Sequence, residues 1–344
     1  MSGKRHHFIP QFLQRGFSSF SSDRKSSTWV FRKKQKAFET NIINVGVEGF
    51  FYSNDGSTEI DDLITLAEGN YSELISSLKL KSNEEELDRS RVAELIAHLE
   101  VRTRHIRNSF LESGSELVDE ILKLFADEEF ISEYLIDLVN REPQIIENAL
   151  SEEFKALGVS RVDQENLIRI MKPHMTNSLL NVVGQSSSFI EKMREQATGK
   201  LKAAVKDGHL RALNRTIEPE SKVGIYSGLN YQIELASGKP FILGDSAVLF
   251  VVDSSRPYRA FYEKKDKLLA VLLPLSSSSC LVGRTEGSDF VVEDINSAIA
   301  SCSLEYFIAS ENTEFNQKLA GKIGMNSMLL QKEEIRSIVD SALP

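Results

Sequence analysis

The chain has 344 residues, enough for one large domain or two ordinary ones. Its 41% hydrophobic and 26% charged content is that of a chain that buries a core, which excludes general disorder. A formal net charge of −9 excludes a bulk electrostatic binder of nucleic acid, while a local basic patch is still compatible with phosphate.

Up to Ser53 the chain reads as a short β segment. It opens with Arg5-His6-His7-Phe8-Ile9-Pro10-Gln11-Phe12-Leu13-Gln14-Arg15-Gly16-Phe17. The basic start is not followed by an unbroken apolar run, so no signal peptide is expected. The Ser-rich stretch 18–27 offers nothing to bury and predicts a loop. Thr28–Phe31 and Val45–Tyr52 carry the aromatic and β-branched residues of strands, with a basic turn at 32–36.

From 54 to 215 the period becomes helical. Asn54-Asp55-Gly56-Ser57 predicts a turn, and Ile60, Leu63, Ile64, Ala67, Tyr71, Leu74, Ile75 and Leu78 recur on one face of a helix. Asn83-Glu84-Glu85-Glu86 predicts the start of one long helix, its buried stripe running from Val92 through Leu99 and Thr103 to Ile106. Further helices are predicted at 116–126, 128–139, from Pro143, at 163–183 with a bend at Pro173, and at 188–212.

From Lys222 to the end, short strands are predicted at 223–226, 231–235, 241–243, 248–252, 258–262, 268–273, 280–282 and 306–309. Helices are expected at 293–301 and 313–322. The layout is α+β: a central helical block inserted between a short N-terminal β segment, residues 1–53, and a C-terminal, mainly antiparallel sheet, residues 222–344. The N-terminal segment is expected to pack on that sheet. Cys280 and Cys302 have no zinc-type spacing and read as two buried thiols of a cytoplasmic protein. No apolar run is long enough for a membrane helix.

Three places could carry chemistry. Pro10 keeps the residues before it extended, so His6 and His7 point to opposite faces and only one can serve a common site; His7 is preferred. An imidazole can take and give a proton near neutrality, although His7 could instead pin the strand to a carbonyl. Arg102 lies four residues after His98 on one helix face, close to the apolar stripe. There its guanidinium could grip a carboxylate or phosphate. Asp245 ends an apolar strand in Gly244-Asp245-Ser246, which places a carboxylate at a strand end or simply makes a turn. No Walker loop, G-x-G-x-x-G, H-E-x-x-H or kinase motif occurs.

His7-Phe8-Ile9-Pro10-Gln11-Phe12 with Arg15 and Phe17 resembles the opening H-[YF]-[VI]-P-Q-[FY]-x-x-[RK]-x-F of a bacterial family, domain of unknown function 4238. Phe51-Tyr52-Ser53 with Glu68, Ala97 with Arg102-Thr103, Phe241 to Val248, and Pro274-Leu275-Ser276 are similar to its later blocks, in order. Arg104 stands where the family has a proline, Gln14 where an apolar residue is usual, and Gly244-Asp245-Ser246-Ala247 where Ser-Asp-Asn-Pro is usual. The resemblance implies an accessory protein of mobile elements or phage defence, and it puts His7, Arg102 and Asp245 on the family's polar positions.

Two readings follow. In the first the protein is a nuclease-like hydrolase of a phosphodiester or nucleotide. His7 would be the acid or base, Arg102 would stabilise the phosphate charge and Asp245 would orient the histidine, all three meeting in one cleft. In the second it is a non-catalytic sensor or protein-binding module, with Arg102 and Asp245 as an interior ion pair. The acidic total suits a protein partner better than bare nucleic acid; a nucleotide ligand suits the hydrolase. One histidine and one aspartate make a thin shell, so no metal is expected, and the sequence names no cofactor and no oligomeric state.

Overall fold

The computed structural model describes residues 5–22, 25–53, 56–81, 87–142, 144–171, 187–286, 295–328 and 330–342. β1 (Arg5–His7) leads through Pro10 into the single-turn helix α1 (Gln11–Gln14) and a 3-10 turn (Arg15–Phe17). β2 (Phe20–Ser22), β3 (Lys25–Arg32), β4 (Phe38–Asn41) and β5 (Val47–Gly49) follow. The helical block comprises α2 (Glu59–Leu78), α3 (Arg89–Arg102), α4 (Arg104–Phe125), α5 (Glu128–Arg141), α6 (Gln144–Ala156) and α7 (Ser187–Arg215). Residues 161–171 are helical as well. Then come α8 (Glu220–Tyr226), β6 (Asn230–Leu235), β7 (Leu243–Gly244), β8 (Leu249–Val252), β9 (Tyr258–Arg259), β10 (Leu268–Pro274) and β11 (Ser279–Arg284). The chain closes with α9 (Ile295–Cys302), β12 (Tyr306–Ala309), α10 (Glu314–Ala320) and α11 (Lys332–Ala342). The class is α+β, with the helical block between N-terminal strands and C-terminal antiparallel sheets.

The chain packs as two compact units, residues 1–112 with 204–329 and residues 113–203 with 330–344. In the first unit, β6-β11-β10-β8-β9 form one antiparallel sheet. A second sheet is built around β3, which pairs antiparallel with β2, β4 and β12, so strands from both ends of the sequence share it. β1 and β5, far apart in sequence, pair as a small two-stranded antiparallel sheet with His7 opposite Val47. One apolar core joins Phe8, Ile9, Leu13 and Phe17 to the α3 stripe (Val92, Leu95, Ile96, Leu99) and to Phe250, Leu272 and Phe307. α3 starts where Asp88 accepts the Arg91 N–H at 3.2 Å. In the second unit Arg194 binds Asp119 at 2.9 Å, and Lys332 binds Glu116 at 3.0 Å.

Several local expectations change. The Ser-rich stretch contains β2 and the start of β3: Ser21 and Ser26 hydroxyls meet at 3.1 Å, so the sheet satisfies polar side chains that seemed to have nothing to bury. The long helix breaks at Thr103, whose extended backbone (ψ 147°) separates α3 from α4. Residues 223–226 are helical rather than extended. A short apolar run does not distinguish the two, and Pro219 before Glu220 favours a helix start. Asn54-Asp55, Asn83 to Glu86, Pro143, Pro173 with the rest of 172–183, and the predicted helix start at Glu293 lie outside the described residues.

Candidate functional site

Strand alternation separates the two histidines. His6 is buried; its Nδ1 accepts the Tyr52 N–H at 3.0 Å, and its ring stacks on Tyr52 with centroids 5.4 Å apart. His7 faces an open cavity of about 350 Å³, lined also by Gln11, Phe12, Arg15, Glu68 and Ser72. Pro10 caps α1, so Gln11 and Arg15 follow on successive turns, and α2 presents Glu68 and Ser72 four residues apart on one face. Gln14, in place of an apolar residue, is buried, and its amide nitrogen donates to the Ile9 carbonyl at 2.8 Å and to the Val45 carbonyl at 3.0 Å, while its Oε1 finds no partner among the described residues.

Behind His7 stands Arg102, 1% exposed. Its Nη2 donates to the His7 carbonyl at 2.6 Å and its Nε to the Tyr52 hydroxyl at 3.2 Å. Its Nη1 pairs with Glu68 at 2.6 Å and lies 3.1 Å from His98 Nε2. The Tyr52 hydroxyl itself donates to the His7 carbonyl at 3.2 Å. Burial opposes the Arg102 charge, but Tyr52 and Glu68 outweigh it and the pKa is raised. Arg102 therefore fastens the backbone of the N-terminal segment to α2 and α3 without engaging the His7 ring.

Burial and then the Arg102 and Arg5 charges push His7 below the usual histidine range, with the Val45 carbonyl opposing them. The ring is thus neutral at pH 7. Its Nε2 lies 3.0 Å from the Gln11 amide nitrogen, while Nδ1 is buried without a well-formed hydrogen bond. In the tautomer that suits both neighbours, Nδ1 carries the proton towards Val45 and Nε2 is a base at the cavity. Arg15 is exposed at the same cavity and makes no ion pair among the described residues.

Of the three residues singled out in the sequence, His7 and Arg102 come together and Asp245 does not join them. Asp245 is buried and accepts the backbone N–H groups of Leu304 at 2.8 Å, Glu305 at 2.6 Å and Tyr306 at 3.1 Å. Burial pushes its carboxyl up to about 6 against those three donors. The interior pair expected between Arg102 and Asp245 is not formed; Glu68 takes that place. Gln11, Arg15, Glu68 and Tyr52 stand in the sequence motifs, but without a chemical role until the chain folds them around His7. Among the described residues no group of three or more His, Cys, Asp or Glu side chains is placed to hold a metal ion.

A family model described as "Protein of unknown function (DUF4238)" matches residues 5–320. No curated protein and no solved structure matches the chain.

Proposed function

The chain belongs to the family described as "Protein of unknown function (DUF4238)", and from that premise we propose that it is a nuclease-like hydrolase of a phosphodiester or nucleotide whose active site is the His7 cavity. The observation that carries the reading is the placement, in one open cavity, of a neutral histidine nitrogen and of the Arg15 guanidinium, which has no ion pair among the described residues. With the Gln11 amide turned aside by the substrate, His7 Nε2 takes the proton of a water as its oxygen bonds to phosphorus; the ester P–O bond breaks, and the leaving oxygen is protonated from solvent. Arg15 binds the non-bridging oxygens, where charge develops. Arg102 is buried and fully engaged, so it positions His7 rather than touching phosphate, and Asp245 holds the Leu304–Tyr306 turn. Such an enzyme suits an effector of phage defence or mobile elements.

A second reading, a binding module in which these residues are architectural, is favoured by Arg102, every bond of which goes to the protein itself. The test is cleavage of bis(p-nitrophenyl) phosphate, single-stranded RNA and single-stranded DNA by the full chain, with and without added Mg²⁺ or Mn²⁺. The hydrolase reading expects cleavage of at least one substrate, reduced about 100-fold or more by His7→Ala and by Arg15→Ala. No cleavage of any of them, or cleavage indifferent to both substitutions, contradicts it.

A further inference from the structure

The charge of this chain is divided along its length. Residues 1–38 hold nine Lys or Arg and one acid, Asp23, a net +8, so the rest of a −9 chain sums to −17. Four of those cations, Arg32, Lys33, Lys34 and Lys36, stand at the turn between β3 and β4, where the Gln35 N–H donates to the Arg32 carbonyl at 3.3 Å. All four are exposed, and none has an ion pair among the described residues. Like charges crowded on one turn repel each other until an anion meets them. Lys34 also holds a left-handed backbone (φ 58°), a conformation that glycine adopts without strain.

Phe38 stands opposite Val30 in the sheet, so its ring, 43% exposed, shares a face with Arg32. Glu39 falls on the other face and accepts the Ser19 hydroxyl at 2.6 Å. Exposed Arg5 links this face to the His7 site. It donates to Asn44 Oδ1 at 3.2 Å, and Asn44 borders the same small cavity as Arg32 and Phe38. Arg5 and His7 lie on one face of β1, roughly 7 Å apart along the strand. The acids nearby, Glu48 and Glu305, are held by Arg104 at 3.0 and 2.9 Å.

We infer that the β3–β4 turn, with Phe38 and Arg5, is a binding surface for a single-stranded polynucleotide, and that Arg5 carries the strand on towards His7. The inference rests on the hydrolase reading for its second half, and it names a polymer rather than a free nucleotide as the substrate. Neighbouring cations meet successive phosphates, and an exposed ring beside them offers an unpaired base a stacking face that a duplex cannot use. The anionic remainder of the chain repels the strand elsewhere, which confines binding to this patch.

Fluorescence anisotropy of end-labelled oligouridylate and oligothymidylate of about 20 nucleotides tests the surface. The full chain carries His7→Ala so that the probe is not cut; a duplex of the same length and phosphatidylserine vesicles serve as competitors. Saturable binding of at least one strand is expected at about 50 mM KCl, its log affinity falling linearly with log salt. Lys33→Gln, Lys34→Gln and Lys36→Gln together should weaken it about tenfold or more and make the salt slope shallower by about 2. Those side chains are exposed and unpaired, so the melting temperature should not change. Lys34→Gly alone should leave the melting temperature unchanged or raised, and still weaken binding. No saturable binding, affinity indifferent to the triple variant, or preference for the duplex or the vesicles would each overturn the inference. Binding is read apart from cleavage. A strand held by the parent chain but never cut contradicts the hydrolase reading and supports the surface, whereas phosphodiester cleavage with no strand held contradicts the surface alone.

Discussion

Arg102 donates to the main-chain carbonyl of His7 at 2.6 Å, and so holds the histidine by its backbone while leaving its ring at the cavity. Four groups meet this one buried guanidinium: the His7 carbonyl, the Tyr52 hydroxyl, the Glu68 carboxylate and the His98 ring. Lysine has the charge but not the planar fork. Arg102→Lys is expected to cost roughly 2–4 kcal/mol, because the buried partners lose their donors. In urea denaturation the midpoint should fall, and amide exchange over residues 5–17 should quicken before the rest of the chain. Unchanged exchange there would show that the segment is held by other contacts.

Gly16 sets the close approach of the N-terminal motif to the loop after β10. A Cβ there would lie 2.3 Å from the Leu275 carbonyl oxygen and 2.9 Å from Ser276 Cα, both backbone atoms. The Gly16 carbonyl also accepts the Ser277 N–H at 2.8 Å. Gly16→Ala should therefore destabilise by roughly 2–3 kcal/mol through overpacking, read as a lower denaturation midpoint. A neutral substitution would mean that the two segments part easily.

Asp245 serves the Leu304–Tyr306 turn and takes no part in the His7 cavity. Asp245→Ala leaves three backbone N–H groups unmet and is expected to cost roughly 2–4 kcal/mol. Any activity per folded molecule should stay within about twofold of the parent chain. A large loss of activity with stability retained would restore Asp245 to the catalytic proposal.

Acid should weaken the fold in a defined window. Burial lowers His105 to about 4, and burial with the Arg107 charge lowers His209 to about 4, from an ordinary value near 6.5. Below about pH 6.5 the unfolded chain takes up protons that the folded chain refuses, so stability is lost as pH falls from about 6.5 towards 4. Each histidine contributes at most about 3 kcal/mol. Asp245 works the other way: raised to about 6, it binds its proton more readily in the folded state and offsets part of the loss. Urea midpoints at pH 7.5, 6 and 4.5 should decline in that order; a flat series contradicts neutral buried histidines.

Much of the helical region was legible because α2 and α3 carry their apolar residues at three- and four-residue steps. The broader α+β arrangement followed from the change of period near residue 222. The break at Thr103 was not legible, since an apolar stripe continues across it and only backbone geometry separates the helices. The hairpin in the Ser-rich stretch was hidden for another reason. Thr28 Oγ1 is satisfied by the carbonyls of Phe17 and Ala309, and the latter lies 281 residues away. At the site, the choice of His7 over His6 rested on strand alternation, a local property. The partner of Arg102 did not follow from local properties: Glu68 and Asp245 were equally acidic in the sequence, and tertiary packing alone selects Glu68.

The most direct measurement is a paired one on His7→Gln: its denaturation midpoint and its phosphodiesterase rate. Because Arg102 and Tyr52 grip the carbonyl of residue 7 and not its ring, the midpoint should correspond to a loss of no more than about 1 kcal/mol, while the rate falls about 100-fold or more. A variant that hydrolyses as fast as the parent, or that loses stability and rate together, would contradict a histidine held by its backbone so that its ring can act.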